Sequence, residues 1–233
     1  MWNNYFFQIQ KKYNMRISTK LPFVIRFDGR QVTKNTDINL LDRYNGSFFD
    51  SLERTACFFS ERYHCFSIFG ADEISFVVPR PYDVIEDLEP SDKTTHSHEL
   101  LALFSQYFFD YFNHFDVHQK IFWHGKCCSI PAGKVSSYIK YRSGIIKNAM
   151  VTYFAKKNEI NNPLLNLEDK IKLCKTRCEY DAFSEVQDGV LYFDGSRIKL
   201  DDFINTGVID KFEIKADKDI PHINIDDIDI EIL

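Results

Sequence analysis

A chain of 233 residues that is 44% hydrophobic and 27% charged has ordinary globular composition and is long enough to bury a real core. That excludes a disordered tail, a collagen-like fibre and a disulfide-stapled miniprotein. Lys and Arg number 29 against 34 Asp and Glu, a formal net charge of −5, so any nucleic-acid contact must come from a local basic stripe.

No stretch approaches the roughly 18 uninterrupted apolar residues of a membrane span, so no membrane partner is expected. Residues Met1 to Arg16 lack a continuous apolar run and a small-residue cleavage site, so no signal peptide is read. The cysteines, Cys57, Cys65, Cys127, Cys128, Cys174 and Cys178, form no Cys-x-x-Cys pair. Reduced thiols in a cytoplasmic protein are the expectation. Cys174 and Cys178 lie one helical turn apart with no His nearby in sequence, which reads as small buried side chains rather than a zinc site.

In chain order, Pro22 to Phe27 is a short β-rich run ending at Asp28-Gly29. Leu40 to Arg62 spaces Leu41, Phe48, Phe49, Leu52, Ala56 and Phe59 as a helix does. Cys65 to Phe69 and Ile74 to Val78 are two strands around Gly70-Ala71-Asp72-Glu73, a hairpin with an acidic turn. Asp83 to Ser97 is polar and reads as an exposed loop, and His98 to Phe115 as a Phe- and Leu-rich helix. Ile121 to Ser129 is an aromatic strand bounded by Pro131, and Val135 to Lys157 is a third helix. Leu167 to Tyr180 looks helical, and Gly189 to Phe193 reads as a strand into an Asp194-Gly195 turn. The Ile- and Asp-rich tail after Asp210 suits an edge strand or a disordered acidic end.

The order β-α-β-β-α-β predicts an α+β fold, a ferredoxin-like antiparallel sheet with helices on one face. Residues 1–160 form its catalytic domain in this reading, and 161–233 a small mixed C-terminal extension. In that topology the end of the first strand and the middle hairpin are neighbours. Asp28 and the pair Asp72-Glu73 then converge on one edge. Carboxylates brought close repel one another, and a divalent cation relieves the repulsion. Hard oxygen ligands suit Mg²⁺, which binds phosphates through one or two carboxylates. Two such ions support phosphoryl chemistry. Arg26, Arg30 and Lys34 flank Asp28, and the latter two can reach phosphate oxygens. By spacing alone, the same acids also read as an ordinary Asp-Gly turn and an ordinary hairpin tip.

The run Ile25-Arg26-Phe27-Asp28-Gly29-Arg30, followed by Gly70-Ala71-Asp72-Glu73-Ile74-Ser75-Phe76, resembles the tRNA-His guanylyltransferase superfamily. Trp123 to Pro131 is similar to the family's Phe-Asp-Gly/Ala-Arg…Pro strand, and Tyr138 to Arg142 with Asn148 to its Tyr-x-x-Trp-Arg-Gln helix with a later Asn. The motifs run in family order over roughly residues 20 to 160. The resemblance implies a polymerase-palm fold, two Mg²⁺ ions, and nucleotide addition to an RNA 5′ end in the 3′ to 5′ direction. Asp28 and Asp72 would hold the metals with the Gly29 carbonyl, and Glu73 would sit beside them as a third acid. Arg26, Arg30 and Lys34 would meet the triphosphate of GTP or ATP; Asp42 and Asn148 would contact the nucleotide. Arg142 and Lys147 would contact tRNA or another RNA, and a homo-oligomer, dimer or tetramer, would form.

Departures fall on the substrate side. Ala71 stands for the family's Ser, Thr33 for a His of the guanylyltransferases proper, His124 for an Asp, Lys126 for an Arg and Ser143 for Gln. The Thr33 departure favours the guanylyltransferase-like branch, which repairs truncated tRNA 5′ ends against a template. The interval from Arg142 to Asn148 is shorter than the family's. His124 reads as a strand-surface or core-edge histidine, and Arg142 equally as a solvated helix face. Lys134, Lys140, Arg142 and Lys147 on one helix and Lys170, Lys172, Lys175 and Arg177 on another read as solvated faces, and where RNA binds, its backbone contacts would lie on these helices. Two other functions stay open: a palm that makes cyclic or linear dinucleotides without RNA, and a non-catalytic nucleotide sensor.

Overall fold

The computed structural model of the chain describes residues 16–18, 21–30, 32, 46–79, 94–113, 121–131, 133–160 and 162–205. Strand β2 (Phe23–Arg30) explains the architecture from its own alternation. Phe23, Ile25 and Phe27 point to one face and are buried, while Arg26 and Asp28 point to the other and are only partly covered. It lies between β4 (Glu73–Val78) and β6 (Phe122–Ser129), antiparallel to both. With β3 (Phe66–Gly70), β7 (Val190–Phe193) and β8 (Ser196–Ile198) they form one sheet in the order β6-β2-β4-β3-β7-β8. A two-stranded ribbon, β1 (Arg16–Ser18) with β5 (Thr94–His96), stands apart from it.

Helices α1 (Ser47–Arg62) and α2 (Ser97–Asn113) cover the Phe23/Ile25/Phe27 face. On α2, Leu100, Phe104, Phe108 and Phe112 recur every fourth residue and are all buried, so one stripe meets the sheet. Phe108 stacks on Phe27 with centroids 4.5 Å apart, and Phe59 of α1 on Phe76 at 4.3 Å. Each buried ring contributes about 1.5–3 kcal/mol by leaving water. This aromatic layer is the core, and the Phe-rich helix belongs to it. The hydroxyls that α1 buries are satisfied within the helix: Thr55 donates to Ser51 O at 2.6 Å and Ser51 to Ser47 O at 2.7 Å.

The second face is covered in part by α3 (Val135–Lys157). Gly70 makes that contact possible, since a Cβ there would lie 2.5 Å from Ile146 Cγ2. At the β2–β6 end of this face Lys126 and Cys128 are exposed and Arg26 and Asp28 half-buried. Further along, α4 (Leu167–Cys174) packs on α3, α5 (Tyr180–Ser184) stacks Phe183 on Phe154 at 4.3 Å, and α6 (Leu200–Asn205) follows β8. The turn at Asp194-Gly195 is tied to α1, with Gly195 N–H donating to Ser60 Oγ at 3.0 Å.

The β-α-β-β-α-β order is as read, and β7 and β8 extend the sheet beyond β3. Two boundaries differ. Thr94–His96, read as loop, pairs with β1, and the helix read over Leu167 to Tyr180 breaks after Cys174. The segments 81–93 and 206–233 lie outside the described residues. Among the described residues no helix is long and apolar enough to cross a membrane.

Candidate active site

The register of β2 against β4 puts Asp28 directly opposite Glu73. Opposed residues of an antiparallel pair share a face, so both carboxylates lie on the α3 side of the sheet. One residue further, Gly29 N–H donates to the Asp72 carbonyl at 2.7 Å, stitching the end of β2 to the hairpin turn. A Cβ at Gly29 would stand 2.6 Å from Val32 Cγ2 and 3.2 Å from that carbonyl, so glycine is required for this approach. Gly29→Ala is therefore expected to destabilise the chain by about 1–3 kcal/mol, the range of an overpacked site, measured as a lower urea midpoint. An unchanged midpoint would mean that the strand end and the turn are not held this closely.

The turn itself is fastened to α3. Ala71 adopts φ +56° and its N–H donates to Met150 Sδ at 3.1 Å. The Tyr153 hydroxyl donates to Asp72 Oδ2 at 3.4 Å. Arg142 donates to both Glu73 oxygens, from Nε to Oε1 at 3.0 Å and from Nη2 to Oε2. Burial pushes the Glu73 carboxyl above its usual range, against the opposing pull of Arg142 and Arg26. For Arg142, burial acts to lower its affinity for the proton, and the Glu73 carboxylate more than reverses this. Arg26 lies between the acids, Nη2 3.4 Å from Asp28 Oδ2 and Nη1 4.0 Å from Glu73 Oε2. Glu73 is thus engaged by arginine on both oxygens, while the Asp28 side chain keeps 38% of its exposure.

Strand β6 completes the half-open surface. His124 is paired with Asp28 and Lys126 with Arg26, so the imidazole and the ammonium rise on the same face as the acids. His124 is thus a strand-surface histidine, as its sequence implies. Its row beside Glu73 and Asp28 follows from the β2–β6 register, which composition and spacing do not carry.

Two expectations are corrected. Arg142 is neither on a solvated face nor available to RNA, because it is 4% exposed and spent on Glu73. Asn148, read as a nucleotide contact, is exposed on the other side of α3. At about 100° per residue it sits far round the helix from Arg142, Ile146 and Met150, which meet the hairpin. Lys147 pairs with Asp188 at 2.7 Å and is partly exposed. Arg30 ends β2 in its backbone, while Lys34 and Asp42 lie outside the described residues.

Among the described residues no cluster of three or more His, Cys, Asp or Glu is arranged to hold a metal ion. Asp28 and Asp72 still offer two partly exposed carboxylates at adjoining backbone positions. This donor set fits Mg²⁺ that completes its shell with water and substrate phosphates.

No protein-family model matches the chain, and no curated protein does. Solved structures do. A bacterial tRNA(His) guanylyltransferase (Thg1)-like protein in complex with ATP is similar at TM-score 0.65 and 13% identity, over 91% of this chain and 99% of that one. The bacterial Thg1-like protein in complex with GTP gives TM-score 0.57 and 13% identity, over 81% and 82%. The tRNA(His) guanylyltransferase of Saccharomyces cerevisiae gives TM-score 0.57 and 13% identity, over 82% and 93%. The chain therefore has the fold of tRNA(His) guanylyltransferase and the bacterial Thg1-like protein, at 13% sequence identity to each.

Proposed function

We propose that the protein is a Mg²⁺-dependent nucleotidyltransferase that adds nucleotides from GTP or ATP to the 5′ end of a tRNA or another RNA. The observation that carries this reading is the backbone bond from Gly29 N–H to the Asp72 carbonyl, which sets Asp28, itself beside Arg26, next to the hairpin turn that bears Asp72. Fold likeness to proteins solved with ATP and with GTP supports it. Asp28 and Asp72, with the Gly29 carbonyl, are the residues to hold two Mg²⁺ ions. Bound there, the ions would polarise the phosphoryl group and stabilise the departing pyrophosphate.

The chain's own residues do the positioning. Tyr153 steadies the Asp72 carboxylate, Arg142 clamps Glu73, and Arg26 presents a fork of donors between Asp28 and the open surface. His124 and Lys126 add donors toward a polyphosphate from the neighbouring strand. A cytoplasmic homo-oligomer is part of the proposal through the family resemblance.

A second reading has its own support. Arg142, expected as an RNA contact, is buried on Glu73 and so is lost to RNA. Synthesis of a small nucleotide product without RNA would not need that contact. Labelled GTP or ATP incubated with Mg²⁺, with and without 5′-phosphorylated tRNA, separates the two. Label appearing in RNA is the expected result, and a chelator is expected to abolish it. A small soluble product from nucleotide alone would favour the second reading. Absence of pyrophosphate release under every condition would overturn the assignment as an enzyme.

A further inference from the structure

We propose that the cleft between the C-terminal end of α3 and the start of α4 is a docking site for RNA backbone phosphate, with Lys156 and Lys170 as its cations. The proposal rests on the nucleotidyltransferase reading. The cleft has a volume of about 320 Å³. Lys156 from α3 and Lys170 from α4 line it, with Thr152 and Asn162 as further polar groups over a floor of Ala155 and Ile160. No carboxylate lines it. Asn162 Oδ1 accepts from Leu164 N–H at 3.0 Å, which orients the carboxamide and leaves its NH₂ to donate.

The lysines around this cleft differ in how they are used. Lys147, Lys157 and Lys172 pair with Asp188, Glu179 and Asp169. Lys156 and Lys170 have no carboxylate partner among the described residues. Two unneutralised ammonium groups from different helices, with amide and hydroxyl donors and an apolar shelf, suit a ribose-phosphate unit. Such a site takes backbone without reading bases.

Its place in the fold links it to the acids. Tyr153, whose hydroxyl touches Asp72, precedes Lys156 by three residues on one continuous helix, a rise of about 4.5 Å. A strand whose 5′ end lies at Asp28 and Asp72 can therefore run along the end of α3 into the cleft. Overall acidity does not oppose this. Residues 206–233 hold eight Asp and Glu against three Lys, the whole of the net −5, and residues 1–205 carry 26 charges of each sign.

The test is binding of fluorescently labelled, 5′-phosphorylated tRNA to the full chain across a series of KCl concentrations. In Lys156→Glu/Lys170→Glu, affinity near 0.1 M salt is expected to fall at least tenfold. The plot of log K against log salt should become shallower by about 1.5–2, the loss of two phosphate contacts. Affinity for Mg²⁺–GTP by calorimetry and the melting temperature should be unchanged. Lys156→Ala/Lys170→Ala should move the slope in the same direction, and Lys172→Glu should leave it as in the wild type. Wild-type affinity and slope in the double reversal, with incorporation intact, would overturn the docking site and leave the enzyme reading standing. Loss of Mg²⁺–GTP binding alongside RNA binding would also overturn it, because the effect would then be global. No RNA binding and no pyrophosphate release by the wild type would overturn both.

Discussion

Asp28→Asn and Asp72→Asn are each expected to reduce nucleotide incorporation by about 10³-fold, the rate equivalent of several kcal/mol of lost metal-borne charge stabilisation. Each change keeps the side chain's shape and removes one negative charge. Neither carboxylate is a structural anchor of the kind Glu73 is. Asp28 meets Arg26 at 3.4 Å in a half-exposed setting, and Asp72, also partly exposed, accepts from the Tyr153 hydroxyl at 3.4 Å. Exposed pairs of this type are worth about 0–1 kcal/mol, so the melting temperature should move little. The double variant should be hardly slower than either single one, because on the proposed reading both carboxylates would serve the same ions and act as a unit. The measurement is single-turnover incorporation of labelled GTP into 5′-phosphorylated tRNA, with circular dichroism as the check on folding. Activity within tenfold of wild type in both variants would remove the two aspartates from the chemistry.

The legible part of this site was set by chain-local chemistry. Asp-Gly at the end of an apolar alternation and an acidic pair in a tight hairpin are visible in the residues, and β-α-β-β-α-β order brings them together. The contact follows, because β4 must pair with β2 once the crossover through α1 is made. What α3 does was not legible. Its helical limits, Val135–Lys157, follow from the pattern, but which side meets the sheet depends on long-range packing. Arg142 in a run of Tyr, Lys and Ser looks solvated, and only the approach allowed by Gly70 and Ile146 puts it inside on Glu73.

Which face of β6 carries His124 is hard to read for a related reason. Its neighbours Trp123, Gly125 and Lys126 do not alternate cleanly between apolar and polar, so the outward face of β6 cannot be read from them. Gly125 is the missing beat: a Cβ there would stand 2.7 Å from Leu101 Cδ1, so the inward position carries glycine where the pattern would place a large apolar residue. The strand β7 was legible by its β-branched and aromatic run, but its partner was not, since pairing with β3 spans more than a hundred residues. The two-stranded ribbon of β1 and β5 carries no period at three residues a strand.

Breaking the Arg142–Glu73 pair from either side is expected to cost about 3–5 kcal/mol, the penalty of stranding a buried charge. The guanidinium is 5% and the carboxylate 9% exposed, so neither can turn to water without moving α3 or the hairpin. Arg142→Met leaves Glu73 with Arg26 alone, whose Nη1 is 4.0 Å away, too far for a hydrogen bond. Glu73→Gln keeps the shape of the acceptor but leaves a cation facing a neutral amide. Removing both charges at once, in Glu73→Gln/Arg142→Met, should recover much of the loss, because a buried pair contributes little net stability over neutral groups of like volume. For a chain of this size 3 kcal/mol corresponds to a melting temperature roughly 6–12 °C lower. Urea denaturation of the two single variants and the double variant measures the cycle. A double variant as unstable as the sum of the singles would show the two charges to be independent, and would leave α3 without the contact that places Tyr153 against Asp72.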